Sequence, residues 1–478
     1  MTPLVGFAPD ADPATPGVLL DCTNFIPAVN GMEAAPTLVT PTNVPALAAA
    51  CQGAAVVSKL DDSRRIMAGT SSKIYELVAG AWVDRSRAGN YTGSGDSVWS
   101  FAQFGDATLA ANKADTIQRS TTGAFADVAT APKAKILFSV GAFVMALNTN
   151  DGTEKPDGWH CCAAYDDTSW TPSTATQATS GRLVATAGAL TAGARLGEYA
   201  IAYKSRSIYL GQYVGAPVVW DWIQVPGGEA GCVGQNALCD LGGLHFFVGE
   251  DNFWLFDGTT PKPIGDGVLR SWYFNNSSQV YKYKTTCVFD RPTNRVWVFY
   301  VSKNGSSLDS ALVYHLQTQK WGKADLSIEA ALHFISEAAT IDGLSGTINS
   351  LPDVAFDSQY WLAGGKALSV FNTSHQIQSL NGIPAASSIS TGHVGDDEAT
   401  SDLVSVRPRF VKAPTTANCV VFGVRNSGET FTEGSTSSLS GGKFDARQSA
   451  KWHKAVINFT GAVQLTGLQF NLVQAGTR

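Results

Sequence analysis

Short apolar strands that double back at polar turns, and do so at a near-fixed spacing, constrain this chain more than any other feature. Ile66-Met67-Ala68-Gly69 turns at Thr70-Ser71-Ser72 into Lys73 to Leu77, and Leu244 to Val248 turns at Gly249-Glu250-Asp251 into Asn252 to Phe256. Tyr360 to Ala363 reads as a third such hairpin, turning at Gly364-Gly365-Lys366 into Ala367 to Phe371. An apolar run broken by a two- to four-residue polar turn is the signature of an antiparallel pair. Beneath the hairpins lies a repeat: Ile74, Gly80, Trp82 and Asp84 recur 43 residues later as Ile117, Gly123, Phe125 and Asp127, with Ile66 matched by Leu109. Val313 and Trp321 repeat the eight-residue step, and Ile208 and Trp220 repeat it more loosely around Gly215. Four strands with their turns need about 40–45 residues, the size of one propeller blade. Residues 54–380 divide into seven stretches of that size.

Composition agrees with many strands and tight turns. The 478 residues include 47 Gly and 20 Pro, and only 15% are charged, against the ~25% usual in a globular domain. Helical windows are few and short, the best being Asn43 to Cys51 and Leu326 to Phe334. The reading is therefore an all-β chain: an irregular β-propeller of about seven blades over 51–380, preceded by an extended arm over 1–50. A linker or exposed loop over 381–402, rich in Ser, Gly and Asp, leads to a small β-sandwich-like unit over 403–478. Strands are expected there at Leu403 to Arg409, Cys419 to Arg425, Trp452 to Phe459 and Gly467 to Val473, with Gly428 to Gly442 a flexible loop.

Several function classes are disfavoured. With 34 basic and 40 acidic residues the net charge is −6, and the basic groups are small, such as Arg64-Arg65, so no phosphate-gripping clamp is expected. No run of 18 apolar residues could span a membrane, and Met1 to Thr15 lacks the pattern of a signal peptide. The eight cysteines contain no CxxC and read as buried thiols. The histidines form no HxH or HExxH, and His245 and His315 read as structural residues inside apolar strands. Asp61-Asp62 and Asp166-Asp167 cannot both face one site from an extended strand, so they read as turn caps and not as paired catalytic acids. Trp82, Trp170, Trp220, Trp222 and Trp321 read mainly as packing between sheets, with sugar stacking and subunit contact as the other roles open to them. Neither catalytic residues, nor a metal site, nor a cofactor is expected. Four strands in 403–478 are too few to bury two faces alone, so that unit should pack on the propeller or on a neighbouring subunit, with Trp452 and Phe470 at the seam.

The two ends carry a family pattern. The arm reads Asp21-Cys22-Thr23-Asn24-Phe25-Ile26-Pro27, then Asn30-Gly31-Met32 and Pro36-Thr37. The last unit closes with Lys451-Trp452-His453-Lys454-Ala455-Val456 and Leu465-Thr466-Gly467-Leu468-Gln469-Phe470-Asn471-Leu472. This resembles the tail-hub or nozzle proteins of short-tailed bacteriophages, also called packaged-DNA stabilisation proteins. His453-Lys454 stands where that family more typically carries an Arg-rich stretch. The resemblance implies a non-enzymatic virion protein, made in the host cytoplasm and placed in the tail. It implies a ring of about six copies below the portal and the tail adaptor, near tail fibre or tailspike and tail needle or tip proteins, with DNA crossing the channel unbound. A low charge and an acidic balance suit such a conduit. The arm is long enough to reach a neighbouring subunit, and the exposed acids Asp396, Asp397 and Glu398 are the expected channel-facing loop. The rival reading is a propeller that binds or hydrolyses glycans.

Overall fold

A computed structural model describes residues 2–41, 44–227, 229–335, 366–426 and 428–477. Almost every element is a strand. Among the described residues, helix is confined to Arg270–Asn276 and a single 3-10 turn, Lys282–Lys284.

Six separate four-stranded antiparallel sheets stand as blades, at 54–84, 100–127, 133–182, 192–224, 238–263 and 330–382. The last of these takes its fourth strand, Thr37–Val39, from the arm. A further four-strand meander, 286–324, has the same order but is absorbed into a larger sheet. Six stand-alone blades thus replace the seven expected. The first strands of successive units pack side by side, and that of 330–382 meets Ala54–Ser58, which closes the circle. The 43-residue repeat is structural, because the second strands of the first two blades, Arg64–Gly69 and Ala107–Ala111, begin 43 residues apart. Both hairpins at 66–77 and 244–256 form in the expected register, Gly69 opposite Ile74 and His245 opposite Phe256. The strand expected at Tyr360 to Ala363 and its Gly364-Gly365 turn lie outside the described residues. Lys366–Phe371 pairs with Ala330–Ile335 and with Ile377–Gly382. Leu326 to Phe334, read as a helical window, is therefore largely strand.

The C-terminal unit is a sandwich in which the arm is a full participant. One sheet continues outward from the 286–324 meander through Phe25–Pro27 and Met32–Ala34 to Gln464–Thr477, Ala399–Lys412 and Phe444–Ala450. The other orders Gly6–Phe7, Val18–Thr23, Ala386–Thr391, Trp452–Thr460, Thr416–Val424 and Thr432–Ser438. Thr416–Val424 and Trp452–Thr460 alternate exposed and buried positions, as a half-buried strand must. Leu403, Val406 and Phe444 from one sheet meet Cys419, Val421, Ile457 and Phe459 from the other.

Three expectations are corrected. The 381–402 segment is no linker, since Ala386–Thr391 is a central strand pairing with both Val18–Thr23 and Trp452–Thr460. Its buried face is Ser387, Ile389 and Thr391, so only one buried position is apolar, which conceals it in composition. The Gly428 to Gly442 loop contains the strand Thr432–Ser438, an edge strand with no buried residue to mark it. The arm is spent within its own chain: Phe7, Leu19, Phe25, Ile26 and Met32 are each 0% exposed.

The unit does pack on the propeller, as expected. A single apolar cluster joins Phe246, Phe253 and Trp321 of the ring to Phe25 of the arm and to Phe459 and Leu465 of the sandwich. Phe25 stacks on Phe459 with ring centroids 5.8 Å apart, and Phe470 is half-buried against the same cluster. Trp452 is engaged elsewhere, within the sandwich: its indole N–H donates to Asp397 Oδ1 at 2.7 Å. Arg295, nearly buried, ties ring to arm by donating to the Pro27 carbonyl at 2.7 Å and to Glu33.

Phe25→Ala should destabilise the chain by about 3–5 kcal/mol, the usual cost of emptying a buried aromatic site. A urea midpoint unchanged from the parent would show that the arm does not carry this cluster. Residues 400–478 expressed alone should fail to unfold cooperatively, because the strands Val18–Thr23, Met32–Ala34 and Ala386–Thr391 are missing; a sharp thermal transition would contradict this.

Candidate functional site

The most distinctive charged arrangement in this acidic chain lies where the first two blades meet. Lys59 to Ser63 form the turn between the first two strands of blade 54–84. Asp61 Oδ1 accepts the Ser63 N–H at 2.9 Å, the capping role expected of that Asp pair. The next residues, Arg64 and Arg65, point to opposite faces of the strand, so one is exposed and the other only 3% exposed.

Arg65 is fully committed. Its Nε donates to Glu76 Oε1 at 2.7 Å and Nη2 to Oε2 at 3.4 Å. Nη1 reaches Thr108 Oγ1 and the Ser120 carbonyl of the next blade at 3.1 and 3.3 Å, and Nη2 reaches Ser120 Oγ at 3.2 Å. Thr108 stands 43 residues after Arg65, so equivalent positions of the repeat touch across the blade interface. Arg85 Nε donates to Glu76 Oε2 at 2.7 Å, giving this carboxylate two guanidinium partners. Burial acts to raise the Glu76 pKa, but hydrogen bonds and charge from Arg65 and Arg85 outweigh it and hold the group below the ordinary carboxylate range.

A second network fastens the same seam. Asp115 accepts from Arg87 at 2.8 Å, from Asn112 at 3.0 Å and from the Thr92 N–H at 2.9 Å, while Arg87 also pairs with Asp127. Desolvation pushes the Asp115 pKa up, and these donors pull it below its ordinary value. Arg119 pairs with Asp167, linking the second blade to the third. Asp166 accepts from the Thr168 N–H at 3.0 Å, so Asp166-Asp167 serve a turn and an ion pair and do not form a catalytic pair.

Beside the Arg65–Glu76–Arg85 network runs an open groove of about 400 Å³, lined by Lys59, Ser63, Arg64, Arg65, Glu76, Arg85 and the apolar Leu77, Val78 and Ala79. Glu76 is the sole acid among its lining residues. Its one carboxylate is already bound by two guanidinium groups, so the lining holds no pair of acids of the kind that shares a proton transfer. The sequence flagged Arg64-Arg65 as a basic pair but not Lys59 or Arg85. Arg85 follows directly on the repeated Asp84, and that was the available signal.

The other sequence-selected residues lie elsewhere. Asp396, Asp397 and Glu398 are exposed on a sandwich loop whose chain is held by Lys451: the Asp396 N–H donates to the Lys451 carbonyl at 3.1 Å and Lys451 Nζ to the Asp397 carbonyl at 2.7 Å. A Cβ at Gly395 would sit 1.9 Å from that Lys451 carbonyl, so only glycine permits this approach. The structure thus brings Asp397 and Trp452 together and leaves Phe470 with the core. Trp170, Trp220 and Trp321 are buried, and half-buried Trp222 packs against the propeller core. His245 is structural: Nδ1 lies 2.8 Å from the Tyr203 hydroxyl and Nε2 2.9 Å from the Arg195 carbonyl, and burial lowers its pKa. His315 is equally buried, with Nδ1 accepting the Thr318 N–H at 3.3 Å. Seven of the eight thiols are buried and Cys239 half-buried; burial pushes Cys22, Cys51, Cys161, Cys162, Cys232 and Cys419 up to about 12.

No family model and no curated protein matches the chain. Among solved structures, YCF48 bound to D1 peptide aligns at 11% identity with a TM-score of 0.37, over 76% of this chain and 94% of that one. PorZ, a surface component of the type-IX secretion system of Porphyromonas gingivalis, aligns at 9% identity with a TM-score of 0.39, over 86% of this chain and 53% of that one. These scores carry no functional argument.

Because Glu76 and Asp115 titrate lower folded than unfolded, the stability they contribute is complete above the ordinary carboxylate pKa. It fades as pH falls through their lowered folded values. The melting temperature should therefore drop on acidification from about pH 5 to pH 3, and Glu76→Gln should flatten that drop. An identical pH profile for the variant would disprove the assignment.

Proposed function

We propose that this chain is a structural virion protein, the tail hub or nozzle subunit of a short-tailed bacteriophage. About six copies would form a ring below the portal and adaptor, line the DNA-ejection channel and help retain packaged DNA. One observation carries the reading: the two end segments with the family pattern are neighbours in space. Met32 pairs with Leu465 and Glu33 with Gln464, and a Cβ on Gly31 would lie 2.2 Å from the Leu465 carbonyl. Residues shared with a family at the two far ends of a chain are expected to meet when they build one structural element.

Two features support a subunit in a larger assembly. The outer strands of blade 192–224 expose Tyr213, Val214, Val218 and Ile223, each between 46% and 56% accessible, an apolar flank suited to a neighbouring subunit. Heterologous contacts between identical chains close into rings when the rotation per contact permits. The acidic Asp396–Asp397–Glu398 loop is assigned to the channel, where weak repulsion lets the phosphate backbone slide.

Electron microscopy of virions, or of the chain co-expressed with a portal and an adaptor protein, should show it as a tail ring. Its absence from every particle, together with recovery as a secreted monomer that cleaves or binds polysaccharide, would reject the reading.

A further inference from the structure

The connections that lead into the blades meet over the propeller axis. Each unit of the ring opens with its inner strand, and these strands pack side by side in chain order and close on themselves. The connections therefore gather at one end of the axis. Asp96 lies four residues before the inner strand Ser100–Phe104, and Lys284 lies two before Thr286–Asp290. Round the ring, three inner strands separate those two in one direction and two in the other, so they stand on nearly opposite sides of the axis. Yet Lys284 Nζ lies 3.3 Å from Asp96 Oδ1. A contact that short between opposite sides has to pass over the axial opening.

Both ends of this bridge are anchored. On one side Gln52 Nε2 donates to the Ser94 and Gly95 carbonyls, each at 2.9 Å, and Asp115 accepts the Thr92 N–H at 2.9 Å. On the other, Lys284 Nζ also donates to the Ser306 carbonyl at 3.2 Å and stands over the rings of Tyr281 and Tyr283, 4.8 and 5.9 Å from their centroids. A Cβ on Gly234 would sit 2.2 Å from the Tyr283 carbonyl, so a third connection packs against the bridge. Burial and the Asp96 charge push the Tyr283 pKa up, which agrees with a phenol held beside that carboxylate. The link itself is loose. The Asp96 side chain is 63% exposed and that of Lys284 30%, and an exposed pair contributes little and is screened by salt. We infer that the Asp96–Lys284 contact is a salt-sensitive crossbar that shuts one mouth of the propeller axis and couples two sides of the ring that are not neighbours. At low ionic strength the connections 85–99 and 264–285 are held together, and at high ionic strength they part and the mouth opens. The crossbar belongs to a single chain, so it does not depend on the ring reading.

Carbodiimide treatment of the full parent chain tests the contact, because it joins a carboxylate to an amine, with loss of water, only where the two already touch. Mass spectrometry of the digest should find Asp96 linked to Lys284 at 20 mM NaCl, with a yield at least about three-fold lower at 500 mM. Absence of that link overturns the inference, and so does a yield that salt leaves unchanged. Hydrogen exchange tests the coupling. Asp96→Asn should speed exchange in residues 280–285 by about three-fold or more, and Lys284→Gln should do the same in residues 92–97, with the strand Lys133–Val140 unaffected. The double variant should exchange no faster than the faster single one, as for two residues that act through one contact. Exchange in 280–285 that ignores Asp96→Asn would reduce the pair to a local surface contact and reject the crossbar.

Discussion

Everything in this fold depends on strand pairing between the first forty residues and residues more than three hundred positions later. Thr37–Val39 supplies the outer strand of the blade that meets the first one, so the ring is shut by the arm's own hydrogen bonds. Val18–Thr23 and Met32–Ala34 enter the two sheets of the sandwich, and Phe25 fills the space between sandwich and ring. Asp10 extends the same logic to the α-helix Arg270–Asn276, its carboxylate accepting the Trp272 N–H at 3.0 Å and the Ser271 N–H as well. A propeller closed only by side-chain packing between its first and last blades would lack this backbone seam.

The blade pattern was legible because it is local. A hairpin declares itself within a dozen residues, and the 43-residue offset needs only two adjacent blades to show. What could not be read was whatever a distant segment completes. The helix Arg270–Asn276 has no side-chain cap of its own, and its first amides are met by Asp10, some 260 positions away. Ala386–Thr391 looked like a linker because four of its six residues are serine or threonine. Strands on both sides make it central, and those strands come from residues 18–23 and 452–460. The basic groove was half visible, since Arg64-Arg65 stood out. Arg85 joins it only because the strand Ala81–Asp84 folds back against Ile74–Val78 and carries the following residue to Glu76.

Several of the ion pairs lie at seams. Arg65 with Glu76, Arg87 with Asp115 and Asp127, and Arg119 with Asp167 sit where one blade meets the next, and Arg295 with Glu33 sits where ring meets arm. A half-buried ion pair is a poor source of net stability but penalises any register that leaves a charge without its partner. A repetitive fold has many near-equivalent ways to stack its blades, and such pairs separate the correct neighbour from the wrong one.

The closing strand also sets a clock on synthesis. Val39 pairs with Ser379, so the ribosome must add 340 residues after the arm before its partner exists. At about 5–20 residues per second this takes on the order of twenty seconds to a minute. Throughout that interval the arm strand is without its partner and can pair with another nascent chain. A protein built this way is most vulnerable while it is being made, and each completed molecule has first carried its opening segment unpaired through most of its own translation.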